Sequence, residues 1–328
     1  NTSTDNANYE RCLDGVLRYS RDGIALLTDT GEELWNQPCQ MNNPMVELCG
    51  GSIAVGDKGG TSIVVLERKG LKGEIHTTKP IEKFTVSSQG IVSAILKDDE
   101  LPLVMCYDAV GNELVEHKVQ IKSMGYPIDV SVSHDGKTLL VSYLYTEGNA
   151  VVSKVAYYYF GEKNEAADYQ IYQKEFSDTV IPITTFLNND ISLLVSDHSI
   201  VLCKGLQTIE EFAEVKLQTE IKSVAYSEEL IAVVVRKADS TDYNLNVYDT
   251  RGKLLSSVVI DKEYEYVKVS EDQIILCEDQ SCNIYMKNGV QKFEGNIEQN
   301  IMEIFPMSGL NKYMVINADG FHEIRLVN

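Results

Sequence analysis

The chain alternates between short apolar runs and tight polar turns from one end to the other. Residues 16–35, VLRYSRDGIALLTDTGEELW, display the unit. Strands are predicted over 16–20, over 24–28 and from Glu33 onward. Between them stand the turns Arg21-Asp22-Gly23 and Asp29-Thr30-Gly31, where Asp supplies local hydrogen bonds and Gly supplies positive φ. The unit then recurs. With the strands of each repeat labelled a to d, a glycine falls in every c-to-d turn: Gly31, Gly70, Gly111, Gly161, Gly205, Gly252 and Gly289. They lie about 43 residues apart on average, the spacing of a four-stranded propeller blade.

Two further marks keep the same register. In the a strands apolar residues alternate and end on serine, as in Ile81, Phe84, Val86, Ser87 and in Ile128, Val130, Val132, Ser133. The same pattern returns in Ile221, Val224, Tyr226, Ser227 and in Tyr264, Val267, Val269, Ser270, which places the apolar set between sheets stacked face to face. The b-to-c turns are polar and number eight, against seven c-to-d turns. The last repeat therefore stops after its c strand. The predicted fold is all-β: a β-propeller of four-stranded antiparallel blades forming one domain over residues 1–328. The count is eight blades, or seven if an N-terminal repeat merges with the last. Residues 1–13 are expected to supply the missing outer strand, since a ring tied shut in this way leaves no exposed edge. In the fourth repeat the strand Tyr157-Tyr158-Tyr159-Phe160 precedes an insertion at 161–168 with the composition of one helical turn. Residues 209–217 fit helix or strand, and the repeat register selects strand.

Composition narrows the partners. With 49 acidic and 29 basic residues the net charge is −20. Such a chain repels phosphate backbones and anionic lipid headgroups, so no nucleic acid partner is expected. No apolar run approaches the ~18 residues of a membrane helix. The sequence opens on Asn1 and a polar stretch, as a trimmed or processed product would, and a membrane is reached only through an upstream anchor outside this chain. Of seven cysteines, Cys49, Cys106, Cys203 and Cys277 follow Leu or Met within predicted strands and read as buried thiols. Cys277 and Cys282 flank a short turn and face each other across a hairpin. A bridge there would close a small loop worth about 2 kcal/mol.

No catalytic constellation stands out. His76, His117, His134, His198 and His322 lack metal-ligand spacing, and no Cys-x-x-Cys pair or His-Glu-x-x-His appears. Residues 57–62, DKGGTS, open a strand and read as a hairpin turn instead of a phosphate loop. No metal site and no cofactor is expected. The candidate binding face comes from topology, because alternating strand direction sends every b-to-c turn to one side. Each carries an acid: Asp22, Asp57, Asp98, Glu147, Asp197, Asp239, Glu278 and Asp319. That acidic rim would attract a cationic partner or weakly held divalent ions, although Asp also favours turns for local reasons and a charged rim keeps a protein soluble. A tyrosine-rich fourth repeat, including Tyr126, Tyr143, Tyr145 and Tyr172, offers a second recognition patch, against the plainer reading that Tyr packs well in strands.

Asp29-Thr30-Gly31-Glu32-Glu33-Leu34-Trp35 resembles the repeat tail of quinoprotein-type propellers, and Ser133-His134-Asp135-Gly136-Lys137 resembles a strand turn of TolB-like and WD40-like propellers. A closer likeness spans nearly the whole chain. Lys79-Pro80-Ile81-Glu82-Lys83, Asp57-Lys58-Gly59-Gly60-Thr61, Gly125-Tyr126-Pro127-Ile128-Asp129 and Ser142-Tyr143-Leu144-Tyr145 are similar to an uncharacterised propeller family of Gram-positive bacteria. That resemblance implies a propeller held outside the membrane by an N-terminal anchor, and no activity. A single tryptophan, Trp35, cannot furnish one per blade, which argues against quinone binding. The expected function is a non-enzymatic, extracytoplasmic binding or scaffold module that engages a protein, peptide or glycan on a propeller face. The alternatives are a hydrolase or lyase working at the central channel, for which converging Asp, His or Tyr from several a strands would speak, and a cytoplasmic interaction hub.

Overall fold

A computed structural model describes residues 7–161, 169–297 and 300–326. Its sheets follow the repeat register blade by blade. The first comprises β1 (Asn8–Cys12), β2 (Gly15–Tyr19), β3 (Gly23–Thr28) and β4 (Glu33–Pro38). The second holds β5 (Pro44–Cys49), β6 (Ser52–Asp57), β7 (Ser62–Glu67) and β8 (Gly70–His76), and the third β9 (Ile81–Val86), β10 (Val92–Leu96), β11 (Leu103–Tyr107) and β12 (Glu113–Lys118). A short helix, α1 (Ile121–Met124), leads into the fourth: β13 (Tyr126–Val132), β14 (Thr138–Glu147), β15 (Ala150–Tyr159) and β16 (Gln170–Ser177). The fifth is β17 (Ile183–Phe186), β18 (Ile191–Val195), β19 (Ser199–Lys204) and β20 (Glu210–Lys216), and the sixth β21 (Ile221–Tyr226), β22 (Leu230–Arg236), β23 (Tyr243–Asp249) and β24 (Leu254–Ile260). The seventh is β25 (Tyr266–Ser270), β26 (Gln273–Glu278), β27 (Ser281–Met286) and β28 (Gln291–Asn296). The eighth has three described strands, β29 (Glu303–Pro306), β30 (Lys312–Asn317) and β31 (Gly320–Arg325). The fold is all-β, a β-propeller of eight antiparallel blades rather than seven.

The turn chemistry explains the regularity. Gly31, Gly70, Gly111, Gly205, Gly252 and Gly289 all occupy c-to-d turns at positive φ, a region that costs a residue without Cβ little. All eight b-to-c turns lie at their expected positions. The ambiguous stretch at 209–217 is strand β20, whereas the helix α1 had no counterpart in the sequence reading. The helical turn expected in the insertion at 161–168 falls almost wholly outside the described residues.

The N-terminal expectation requires correction. Residues 8–12 do not add an outer strand to the last blade. They form β1, the innermost strand of the first, paired with β2 from Asn8↔Tyr19 to Cys12↔Gly15. The cause is the two-residue turn Leu13-Asp14, both at positive φ (49° and 58°), the conformation that folds a strand straight back on its neighbour.

The chain divides into two compact units of about four blades each. One comprises Asn1–Ser20, Ala25–Leu34 and Val215–Asn328, the other Arg21–Ile24 and Trp35–Glu214. In both, the b and c strands other than β31 are largely buried on both faces, which is why they read as apolar runs. Alternate residues of one strand serve two different cores. In the first unit Ile274 and Leu276 of β26 pack with Ala232 and Val234 of β22. Ile275 and Cys277, from the opposite face, pack with Ile304, Tyr313 and Val315 of the last blade. Phe305, Met314 and Ile316 of that blade then meet Tyr9, Val16, Ala25 and Leu27 of the first. The second unit repeats the scheme, with Ile95 and Val104 against Val141 and Tyr143, and Leu140 and Val155 against Leu194 and Val201.

Candidate functional site

The acidic b-to-c turns are not equivalent. Asp57 is buried, and its Oδ1 accepts from the backbone amides of Asn42 (3.0 Å) and Asn43 (2.8 Å), fastening the connection between two blades. Asp98 accepts from Lys79 Nζ and from the amides of Glu100 (2.9 Å) and Leu101 (2.7 Å). The Lys79 hydrogen bond, followed by those amides, holds its carboxyl down at about 2. Glu278 pairs with Lys262. These three are occupied with structure. Asp22, Glu147, Asp197, Asp239 and Asp319 are exposed, Asp197 lying 3.1 Å from His198 Nδ1. Asp22, Asp57, Asp98, Glu147 and Asp197 belong to one unit, and Asp239, Glu278 and Asp319 to the other. Among the described residues no three His, Cys, Asp or Glu converge as a metal site would require.

Hollows open beside two of these turns. One of about 520 Å³ is lined by Pro80, Lys97, Asp98, Asp99 and Glu100. The other, of about 590 Å³, holds Glu220, Lys222, Arg236, Lys237 and Asp239. The second carries three basic side chains against two acidic ones. A uniformly acidic face is therefore not what the side chains make in that unit.

The sequence reading missed charged networks on the innermost strands. In one unit Lys268 of β25 donates to Glu303 Oε2 of β29 (2.9 Å) and to Glu10 Oε1 of β1 (2.8 Å). Glu303, 1% exposed, also accepts from Tyr266 OH (2.6 Å) and from the Ile304 amide (3.0 Å). Burial raises the Glu303 carboxyl. Burial alone would lower Lys268, but Glu303 and Glu10 outweigh it and hold the ammonium above its ordinary value, hence charged. The other unit repeats the device: Lys83 of β9 donates to Asp129 Oδ1 of β13 (2.7 Å), and Thr184 of β17 donates to Oδ2 through its amide (2.5 Å) and its hydroxyl (2.9 Å). Tyr126 donates to Glu82 at 2.9 Å, and burial together with that carboxylate pushes the phenol up to about 12. Polar side chains from three a strands are thus joined in each unit, and each lysine is already engaged by a carboxylate. A lysine clamped between carboxylates neither takes a proton near neutrality nor attacks a carbonyl; it ties adjacent blades together. The signal was legible as a lysine among alternating apolar residues, in Ile81-Glu82-Lys83-Phe84 and in Tyr266-Val267-Lys268-Val269.

The third feature is an edge. Among the described residues seven blades carry a d strand, and these are half-exposed with alternating burial, as in Gln170–Ser177 and Glu113–Lys118. Among the described residues no strand covers the outer edge of β31. Along it runs a groove of about 510 Å³ with an apolar floor of Phe293, Ile297, Val315, Ile324 and Leu326. His322 and Arg325 are exposed at its side, and His322 Nε2 lies 3.1 Å from Asn317 Oδ1.

Repeated antiparallel blades with b and c strands buried on both faces define a β-propeller. Within that class the chain belongs to the family of unknown function DUF5711, whose profile matches residues 1–326. No curated protein matches it by sequence. Among solved structures it is similar to AztD from Citrobacter koseri, at TM-score 0.59 and 11% identity over 90% of this chain and 87% of that one. It is also similar to BamB from Moraxella catarrhalis (TM-score 0.53, 13% identity, 96% and 94% covered) and to Sqt1 from Saccharomyces cerevisiae (0.56, 10%, 99% and 96%). At these identities the likeness is one of fold.

Proposed function

We propose that this chain is a protein-binding module, and that the open edge of β31 takes an extended protein segment as its fourth strand. The observation behind this reading is an edge that no described strand covers, beside an apolar groove. An edge strand presents unpaired backbone donors and acceptors in a row; a bound strand satisfies them, and pockets beneath alternate residues select side chains. The chain's own d strands describe the occupant: six to eight residues, extended, with an aromatic or branched residue at alternate positions, as Tyr172 and Phe176 stand in β16. The exposed Asp319, in the turn between β30 and β31, favours a segment with a basic residue at that end. The other exposed carboxylates, at Asp22, Glu147, Asp197 and Asp239, add to the attraction for a cationic partner. An extracytoplasmic setting belongs to the same proposal and rests on the family resemblance.

The test is titration of the chain with a fluorescent peptide of residues 170–177, QIYQKEFS, against its scrambled form. Saturable binding of the ordered peptide, lost in Ile324→Glu, is the expected result. Equal binding of both peptides, or binding untouched by Ile324→Glu, would refute the edge as the site, as would an edge already closed to the peptide by other residues of the same chain.

A further inference from the structure

The b–c hairpin of the seventh blade carries two thiols that neither the fold nor the proposed binding edge requires. Cys277 on β26 and Cys282 on β27 stand directly opposite each other in register. The next pair outward, Glu278↔Ser281, closes the two-residue turn Asp279-Gln280. The closing pair of such a hairpin exchanges its backbone hydrogen bonds, which makes Cys277↔Cys282 a non-hydrogen-bonded pair, with Cα atoms about 4.5 Å apart. That separation lies inside the range of roughly 4.4–6.8 Å that a disulfide spans. The sulfurs are 2.8 Å apart, with nothing between them. Both residues are buried, at 2% and 1% exposure, in the cluster formed by Ile275, Ile284, Ile304, Tyr313 and Val315.

We infer that Cys277 and Cys282 are a modification site: under an oxidising disulfide they join as a cross-strand disulfide that staples this hairpin. The chemistry is two exchanges. One cysteine thiolate attacks a small-molecule disulfide such as oxidised glutathione, forming a mixed disulfide and expelling one glutathione thiolate. The second cysteine, once deprotonated, attacks the protein sulfur of that mixed disulfide and expels the other. The protein loses two hydrogens, and one oxidised glutathione becomes two reduced ones. In the folded dithiol, contact with Cys282 and then burial raise the Cys277 thiol well above its ordinary value. The thiolate is therefore scarce near neutrality, and exchange accelerates as pH rises or while the hairpin is still forming.

The position gives the bond a consequence. Just beyond the pair, Gln280 O accepts from the Ile297 amide (2.7 Å) and Asp279 O from the Ile301 amide (2.9 Å). The hairpin tip thereby holds the connection into the last blade, and Ile297 forms part of the groove floor. A staple one residue from the tip fixes the element on which that connection hangs.

The experiment uses the whole chain, incubated with oxidised glutathione or with excess reductant, then unfolded, alkylated and cut on the carboxyl side of Asp or Glu. Cleavage after Glu278 or Asp279 leaves the two cysteines on separate peptides. The expected result is that these peptides stay joined after oxidation, separate on reduction, and are never joined in Cys282→Ser. Should Cys282→Ser fail to fold, the wild-type chain decides alone, its oxidised form melting at a higher temperature than its reduced form. Recovery of both cysteines alkylated after oxidation overturns the inference. So does linkage of either cysteine to a different one, or an oxidised form that melts lower.

Discussion

Removing the ammonium of Lys268 tests whether the inner-strand networks hold the blades together. Lys268→Met keeps the length of the side chain but leaves Glu303 buried, with only the Tyr266 hydroxyl and the Ile304 amide as donors. At 2.9 Å and an effective dielectric of 20 the pair gains about 6 kcal/mol of gross attraction, most of which offsets desolvation. Breaking a buried pair from one side costs about 3–5 kcal/mol. Two donors remain on Glu303 and a quarter of the Lys268 side chain reaches solvent, so the expected loss lies near the lower end, about 3 kcal/mol. Glu303 is already held above its ordinary value. A carboxyl so raised contributes stability below its unfolded value and loses it as pH rises through its folded value; without Lys268 the folded value climbs further. The deficit of Lys268→Met is therefore small near pH 4 and grows toward neutrality. Urea unfolding followed by circular dichroism measures it, since the sole tryptophan, Trp35, belongs to the other unit. Adding Glu303→Gln to Lys268→Met should recover more than 1 kcal/mol, because no charge is then left stranded. A Lys268→Met deficit below about 0.5 kcal/mol, or one of the same size in the Glu303→Gln background, would refute the network as a structural tie.

A methyl group at Gly73 would sit 2.1 Å from the backbone oxygen of Ala109 in the next blade, a neighbour that cannot rotate away. Gly73→Ala should cost about 2–3 kcal/mol in thermal or urea unfolding, and Gly59→Ala, with open space but φ of +82°, only about 1; equal costs would contradict close blade packing at that turn. The Asp98 carboxyl should titrate at about 2 by carbon NMR. Because that value is depressed, its contribution to stability is present above the unfolded value and disappears as pH falls through about 2. Lys79→Met should move the titration toward the ordinary Asp value, and an unmoved titration would dissolve the pairing. Oxidation of Cys277 and Cys282 should add about 2 kcal/mol, the entropy of so short a loop, read as a rise in urea midpoint that reductant reverses.

What could be read from the sequence was set by how local its cause is. A tight turn needs a residue that tolerates positive φ, and Gly31 or Gly289 satisfies that need within four residues of chain, so the blade register was legible throughout. Leu13-Asp14 makes an equally tight turn without glycine, and β1 was therefore misplaced. Charge was visible, but its use was not. Nothing beside Asp57 or Asp98 in the sequence distinguishes them from Asp197, yet the first two are taken up by backbone amides and a lysine while Asp197 faces solvent. The bond from Lys268 to Glu10 joins residues 258 apart, and only folding brings them within reach. The candidate site divides along the same line. That the last repeat shows one c-to-d turn fewer than b-to-c turns follows from counting turns. That its edge lies beside an apolar groove depends on Phe293 and Ile297 from the preceding blade meeting Ile324 and Leu326 from the last. Side chains of the same types elsewhere in the chain disappear beneath a fourth strand. At β31 they line an open groove, which makes this edge a more specific candidate for recognition than a rim of carboxylates found in every repeat.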